Sequence, residues 1–212
     1  MKNHTFVICA YKESPYLEES ILSLKNQTVK SNIIMATSTP NEWIQSLAEK
    51  YEIPLYINTG DSGIAQDWNF AYRQAKTDYV TIAHQDDTYE PDYLKMVMKG
   101  LKKAKDPIIA FTDYGELRDG QKVRKSTLLT IKRILLLPIR ARAFQNVKFF
   151  KRFSLRFGNP VCCPATTYVR DKFEGDPFEV RFSSNVDWMM LEKQSRKEGS
   201  FCYIPMTGMY HR

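Results

Sequence analysis

The sequence predicts an α/β fold, a mostly parallel sheet flanked by helices and followed by a more irregular second half. Up to about residue 113, short apolar runs alternate with stretches whose apolar residues recur at helical spacing. Strands alternating with helices of ten or more residues imply parallel strands joined by crossovers. Polar, turn-forming residues follow the apolar runs directly, and in such sheets ligands bind beyond the carboxyl ends of the strands.

The first strand is read at 5–10, with Phe6, Val7 and Ile8, and the helix after it at 16–25, where Leu17, Ile21 and Leu24 share a face. A second strand at 32–37 leads to a helix carrying Trp43, Ile44 and Leu47. A third strand, 55–58, enters the turn Thr59-Gly60-Asp61-Ser62-Gly63, after which Ile64, Trp68, Ala71, Tyr72 and Ala75 keep helical spacing. The fourth strand, 78–83, precedes a helix expected to open at Pro91, a favoured first helical position. A fifth strand is read at 108–113. Beyond it the pattern yields a strand at 165–169, a helix from about Asp187 to Lys197 and a short strand at 201–204. No repeat or linker divides the chain, so 1–212 is expected to form one domain.

With 43% hydrophobic and 26% charged residues, the composition is that of a folded globular chain. Cys9, Cys162, Cys163 and Cys202 suit no disulfide framework and are read as reduced, packed thiols. The run Ile134–Ile139 is far short of the roughly 20 residues of a spanning helix, and Phe6–Ala10 is too short for a secretory signal. The expected location is the cytoplasm, or the inner face of the cell membrane as a peripheral protein.

The net charge of +7 is concentrated. From Gly120 to Arg170 there are twelve lysines and arginines and no acid, so removing that window leaves −5 on the rest. Within 122–157 the basic residues are interleaved with Leu128, Leu129, Ile131, Phe144, Phe149, Phe150, Phe153 and Phe157. A cationic, apolar, acid-free segment suits the interface of an anionic membrane. The same residues would also arise if the apolar side chains simply packed on the sheet while the charges met water. A basic aromatic groove for nucleic acid is the third reading, but no nucleic-acid module is recognisable and no such partner is expected.

The chemistry-bearing motif is His84-Gln85-Asp86-Asp87, directly after the fourth strand. Adjacent carboxylates at a strand's carboxyl end can hold a hard divalent cation, or can form a solvated turn in which Asp87 or Glu90 caps the next helix. The run Tyr79–Leu94, ending in Pro91-Asp92-Tyr93-Leu94, resembles the Asp-x-Asp segment of family 2 glycosyltransferases of the GT-A fold. Phe6–Ser14 with Tyr16–Ile21 and Leu24–Thr28 is similar to that family's N-terminal signature, and Gly63–Ala71 to its glycine-rich helix start.

The resemblance implies a nucleoside-diphosphate sugar bound across the strand ends and Mn²⁺ or Mg²⁺ bridging its diphosphate to the acidic motif. It implies a donor half at 1–115, and an acceptor half at 116–212 taking a saccharide or lipid-linked acceptor, with inversion expected. Carried over by position, Asp86 is the metal ligand with His211 as a second; Ala10, Tyr11, Glu13, Ser38, Asn69, Gln85 and Asp87 line the donor. Asp187, in Ser183-Ser184-Asn185-Val186-Asp187-Trp188, is the base that deprotonates the acceptor, or else a carboxylate favoured at a helix N-terminus. Three departures stand out: His84 replaces the motif's first Asp, Ala36-Thr37-Ser38-Thr39-Pro40 replaces an acidic turn, and Met209-Tyr210-His211-Arg212 replaces a Tyr-Arg-x-His segment. They keep open a catalytically degenerate scaffold of the same fold. A nucleotidyltransferase would need a glycine-rich phosphate loop, and Ala10–Ser14 has no glycine.

Overall fold

The computed structural model describes residues 4–212. In chain order its elements are β1 (His4–Ala10), α1 (Leu17–Lys25), β2 (Asn32–Thr37), α2 (Glu42–Lys50), β3 (Leu55–Ile57), α3 (Ile64–Gln74) and β4 (Tyr79–His84). There follow β5 (Thr88–Tyr89), α4 (Tyr93–Lys103), β6 (Pro107–Arg118), β7 (Gln121–Val123), α5 (Thr127–Leu135), α6 (Lys148–Leu155), β8 (Thr166–Val169), α7 (Val186–Ser195) and β9 (Ser200–His211). The strands join one sheet in the order β3-β2-β1-β4-β8-β6-β9-β5, with β7 hairpinned onto β6.

The pairings of β1 with β2 and β4, of β2 with β3, and of β6 with β9 are parallel. Strand β8 slots antiparallel between β4 and β6, so the sheet is mostly parallel with a reversed strand at its middle. Only Cys9 of β1 escapes full burial, as befits a strand covered on both faces. Side chains alternate, so Phe6 and Ile8 join the core under α1, α2 and α4, while Val7 joins the core under α3, α6 and α7.

Three elements differ from the sequence reading. Helix α4 opens at Tyr93, not Pro91, because Tyr93 N–H closes a turn onto the Glu90 carbonyl at 2.9 Å. Strand β9 runs for 12 residues where a short one was expected. Pro205 and Gly208 interrupt its pattern, and the fold absorbs them as register shifts against β6 around Asp113. Beyond these bulges β9 pairs antiparallel with β5, Thr88 opposite Tyr210, which delivers His211 and Arg212 to the acidic turn. In the basic segment the apolar residues divide. Leu129, Leu136, Ile139 and Leu155 are buried, while Leu128, Ile131, Ile134, Leu137, Phe149, Phe153 and Phe157 are exposed.

Candidate active site

The register that aligns Ala10 with Thr37 and Cys9 with His84 brings three strand ends to one edge. A cavity of about 470 Å³ opens there, lined by Ala10, Tyr11, Thr37, Gly63, Asp67, Trp68, His84, Gln85 and Asp86 among others. The chain leaves β1 through Lys12, a non-glycine residue in the left-handed region at φ 54°, a conformation that marks a constrained turn. Its N–H donates to Thr39 Oγ1 at 2.6 Å, which ties the first loop to the second. Gln85 ties it to the fourth: Tyr11 N–H donates to Gln85 Oε1, and Gln85 Nε2 donates to the Tyr11 carbonyl, both at 2.9 Å. Gln85 therefore walls the cavity with an amide already engaged at both ends, instead of offering that amide to a donor.

The two aspartates of the turn are not equivalent. Asp86 faces the cavity, whereas Asp87 is fully buried and outside its lining. Asp87 Oδ1 accepts from His211 Nδ1 at 2.8 Å and from Arg212 N–H at 3.1 Å. Asp87 is thus an anchor for the end of β9 and not a donor-lining residue. His211 is held by that bond, which raises its pKa above the usual imidazole value against the opposing effect of burial. Arg212 extends the clasp: Nε donates to the Asp86 carbonyl at 3.1 Å, and the guanidinium lies 3.7 Å from the Tyr16 ring centroid.

His84 stacks on Trp68 with centroids 5.1 Å apart, and burial lowers its pKa. Its Nε2 and Asp87 Oδ2 are buried without a hydrogen-bond partner among the described residues. Unpaired buried polar atoms are costly, and a cation is one way to satisfy them. One ligand atom from each of His84, Asp86 and Asp87 lies within 4.8 Å of the others, so the residues present fit a divalent cation. The group thus gathers the adjacent carboxylates of the turn with His84, the residue that departs from the motif, and His211 lies one hydrogen bond behind it.

Asp187 sits half-buried in the first turn of α7, after Asn185 in the left-handed conformation at φ 53°. Its Oδ1 accepts from Trp188 N–H and its Oδ2 from Asn159 Nδ2, each at 2.8 Å. Burial nonetheless raises its pKa, and His84 is close enough to bear on it. A carboxyl group poised above its ordinary range is suited to taking a proton.

Two further expectations are corrected. Asn69 is buried, and its amide is consumed by the Phe178 backbone, donating to its carbonyl at 2.7 Å and accepting from its N–H at 3.0 Å. It fastens a distant loop instead of touching a donor. Glu13 is exposed and lines a separate shallow depression with Trp43 and Ser46. Ser38 stands beside the cavity and donates to Asp67 Oδ2 at 2.9 Å. Asp67, which the sequence reading passed over, also accepts from Asn58 Nδ2 at 2.9 Å. Asp67 of α3 thus places a carboxylate in the cavity, hydrogen-bonded to Ser38 of the turn after β2. Its signal was an acid four residues past Gly63 on a helix pointing at the strand ends.

A cavity at a topological switch of a mostly parallel sheet, edged by an acidic turn, is the architecture of the GT-A fold. The chain belongs to glycosyl transferase family 2, whose model matches residues 5–178. Its structure is similar to that of residues 1–349 of S. aureus TarS, with TM-score 0.70 and 14% identity over 100% of this chain and 60% of that one. The same TarS fragment in complex with UDP-GlcNAc matches at TM-score 0.69 and 15% identity, over 99% and 58%. The mannosyltransferase PcManGT from Pyrobaculum calidifontis, in complex with GDP-Man and Mn2+, matches at TM-score 0.65 and 14% identity, over 97% and 55%. This chain therefore spans about 60% or less of the length of these structures. No protein with a curated description matches the sequence.

Proposed function

We propose that the protein transfers a sugar, with inversion, from a nucleoside-diphosphate sugar to a saccharide or lipid-linked acceptor. The observation that carries this reading is the group of His84, Asp86 and Asp87 at the cavity's edge, with Asp187 near enough to His84 to interact with it electrostatically. The donor's diphosphate lies against Asp86, and its nucleoside lies between Tyr11, Trp68 and Asp67. Asp86, Asp87 and His84 would hold a divalent cation, which would supply positive charge against the departing diphosphate. The imidazole in that set favours Mn²⁺ over Mg²⁺. His211, hydrogen-bonded through Nδ1 to Asp87, steadies that carboxylate from behind the group. Asp187 takes the proton from the acceptor hydroxyl, and Asn159 holds the carboxylate in place for it.

In this reading residues 1–115 form the donor half and 116–212 the acceptor half of one domain. The protein works at the cytoplasmic face of a membrane. The exposed Leu128, Ile131, Ile134 and Leu137 of the α5 region, flanked by lysines and arginines, support that placement. Each basic residue near an anionic surface contributes about 1 kcal/mol. No helix among the described residues is long and apolar enough to cross a membrane.

Calorimetric titration of UDP-, GDP- and dTDP-sugars with and without Mn²⁺, on wild type and Asp86→Ala, tests the reading. One nucleotide class should bind, with metal, and Asp86→Ala should lose the metal-dependent part. A folded wild type that binds none of them would overturn it.

A further inference from the structure

The two ends of the cavity at the strand edge differ in chemistry. One end is the acidic turn after β4. The other is Asp67, whose carboxylate is hydrogen-bonded to Ser38, just after β2, and to Asn58, just after β3. The strand order β3-β2-β1-β4 puts those two partners two and three strands away from the acidic turn. At about 4.8 Å per strand, Asp67 stands on the order of 10 Å from that turn. The end of β1 lies between them. A nucleotide with its diphosphate at Asp86 therefore has its ribose over β1 and its base at Asp67. Beside Asp67 the lining is apolar, with Cys9, Ala36, Ile64 and Phe70, which suits the faces of a planar ring.

The side-chain donors bonded to Asp67 are already engaged. The Ser38 hydroxyl donates to Oδ2 at 2.9 Å. Asn58 Nδ2 donates to the Asp61 carbonyl at 3.1 Å and to Asp67 Oδ1 at 2.9 Å, which uses both its protons. Asn58 Oδ1 in turn accepts from Gly60 N–H at 3.1 Å. Gly63 N–H reaches Asp67 Oδ2 only at 3.4 Å. A carboxylate has about four acceptor positions, so the two close bonds orient it and leave room for a pair of incoming donors. What complements it is a base edge with two adjacent N–H donors. Guanine has that edge, N1–H beside the 2-amino group, and meets a carboxylate through two parallel charge-assisted bonds. Uracil and thymine set N3–H between two carbonyl oxygens, so a carbonyl would face the second carboxylate oxygen. Cytosine and adenine place a ring acceptor beside their amino donor.

We propose that Asp67 reads the base of the donor and selects guanine, so that the protein uses GDP-sugars. The assignment rests on the transferase reading and narrows its donor. Ser38 and Asn58 are positioning residues, which fix the carboxylate that the base meets.

The test is calorimetry with Mn²⁺ on wild type and D67N, using the diphosphates of guanosine, inosine, xanthosine, uridine, thymidine, cytidine and adenosine. Inosine lacks the 2-amino group, and xanthosine carries a carbonyl in its place. Wild type should bind GDP at least tenfold tighter than each of the others, since a hydrogen bond to a charged group is worth about tenfold or more. D67N should lose at least tenfold for GDP and gain at least tenfold for the xanthosine diphosphate, because an amide N–H donates where the carboxylate accepted. A gain of that kind does not arise from misfolding. If D67N does not fold, the wild-type ratio of guanosine to inosine diphosphate decides alone. Equal binding of those two, or tighter binding of UDP or dTDP, would overturn the proposal. So would a D67N that weakens every nucleotide by one factor, which would assign Asp67 to the ribose. A folded wild type that binds no diphosphate would overturn the transferase reading as well.

Discussion

Replacing Asp187 with Asn separates chemistry from binding more cleanly than any other change in the site. The amide is isosteric, so it keeps the hydrogen bond from Trp188 N–H and loses only the one from Asn159. One neutral hydrogen bond is worth about 1 kcal/mol, so the fold should survive with a small drop in melting temperature. Loss of a general base costs about 10²- to 10⁴-fold in rate, or roughly 3–5 kcal/mol of barrier. The barrier effect therefore dominates by several kcal/mol. Asp187 does not line the donor cavity, so donor affinity should stay within about twofold. Initial rates of sugar transfer at saturating donor, with donor Kd from calorimetry, measure both quantities. The base acts only when deprotonated, and burial raises its pKa. Wild-type activity should accordingly fall, as pH drops, earlier than for an ordinary aspartate. D187N that keeps a third or more of wild-type turnover, with the acidic limb of the pH profile unmoved, would refute the assignment.

Other changes probe the groups around it. Asn159→Ala removes a hydrogen bond that holds the Asp187 pKa down, so the acidic limb of kcat/KM should move to higher pH, with donor affinity unchanged. Asp87→Asn weakens the anchor for His211 and a member of the candidate cation group, and should cost about 10- to 100-fold in Mn²⁺ affinity by titration. Gly208→Ala puts a methyl group 2.8 Å from the Tyr93 ring at the β9 bulge, and should cost about 1–3 kcal/mol in denaturant unfolding.

What was legible in the sequence was local. The run from β1 to β4 announces itself because β1 and β4 are buried on both faces and each helix between them carries one apolar stripe. The acidic turn and the Asp187 segment are likewise contiguous strings. What was not legible depends on partners far along the chain. Asn69 looks like a donor contact until Phe178, 109 residues away, takes both ends of its amide. Asp86 and Asp87 are neighbours of the same type, and only the arrival of β9 decides which is buried. Pro205 and Gly208 hide the length of β9 because a bulge is a property of two strands, not of one. The basic segment was ambiguous for a different reason: periodicity shows that a helix has two faces but not which of them meets the core. In α6 the buried lysine reverses the usual choice.

The clasp between Asp87 and His211 spans 124 residues of chain. Closing so long a loop is entropically slow, and contacts of this separation form late in folding. A nascent chain that has already paired β1, β2 and β4 still lacks the group that completes its acidic turn. The site thus reports on the whole fold, and on the proposed function affinity for cation and sugar nucleotide would be withheld until β9 has docked between β6 and β5. Ligands that bind only this finished state stabilise it in proportion to the logarithm of their concentration. The supply of donor would then help decide how long each newly made molecule stays clear of proteases.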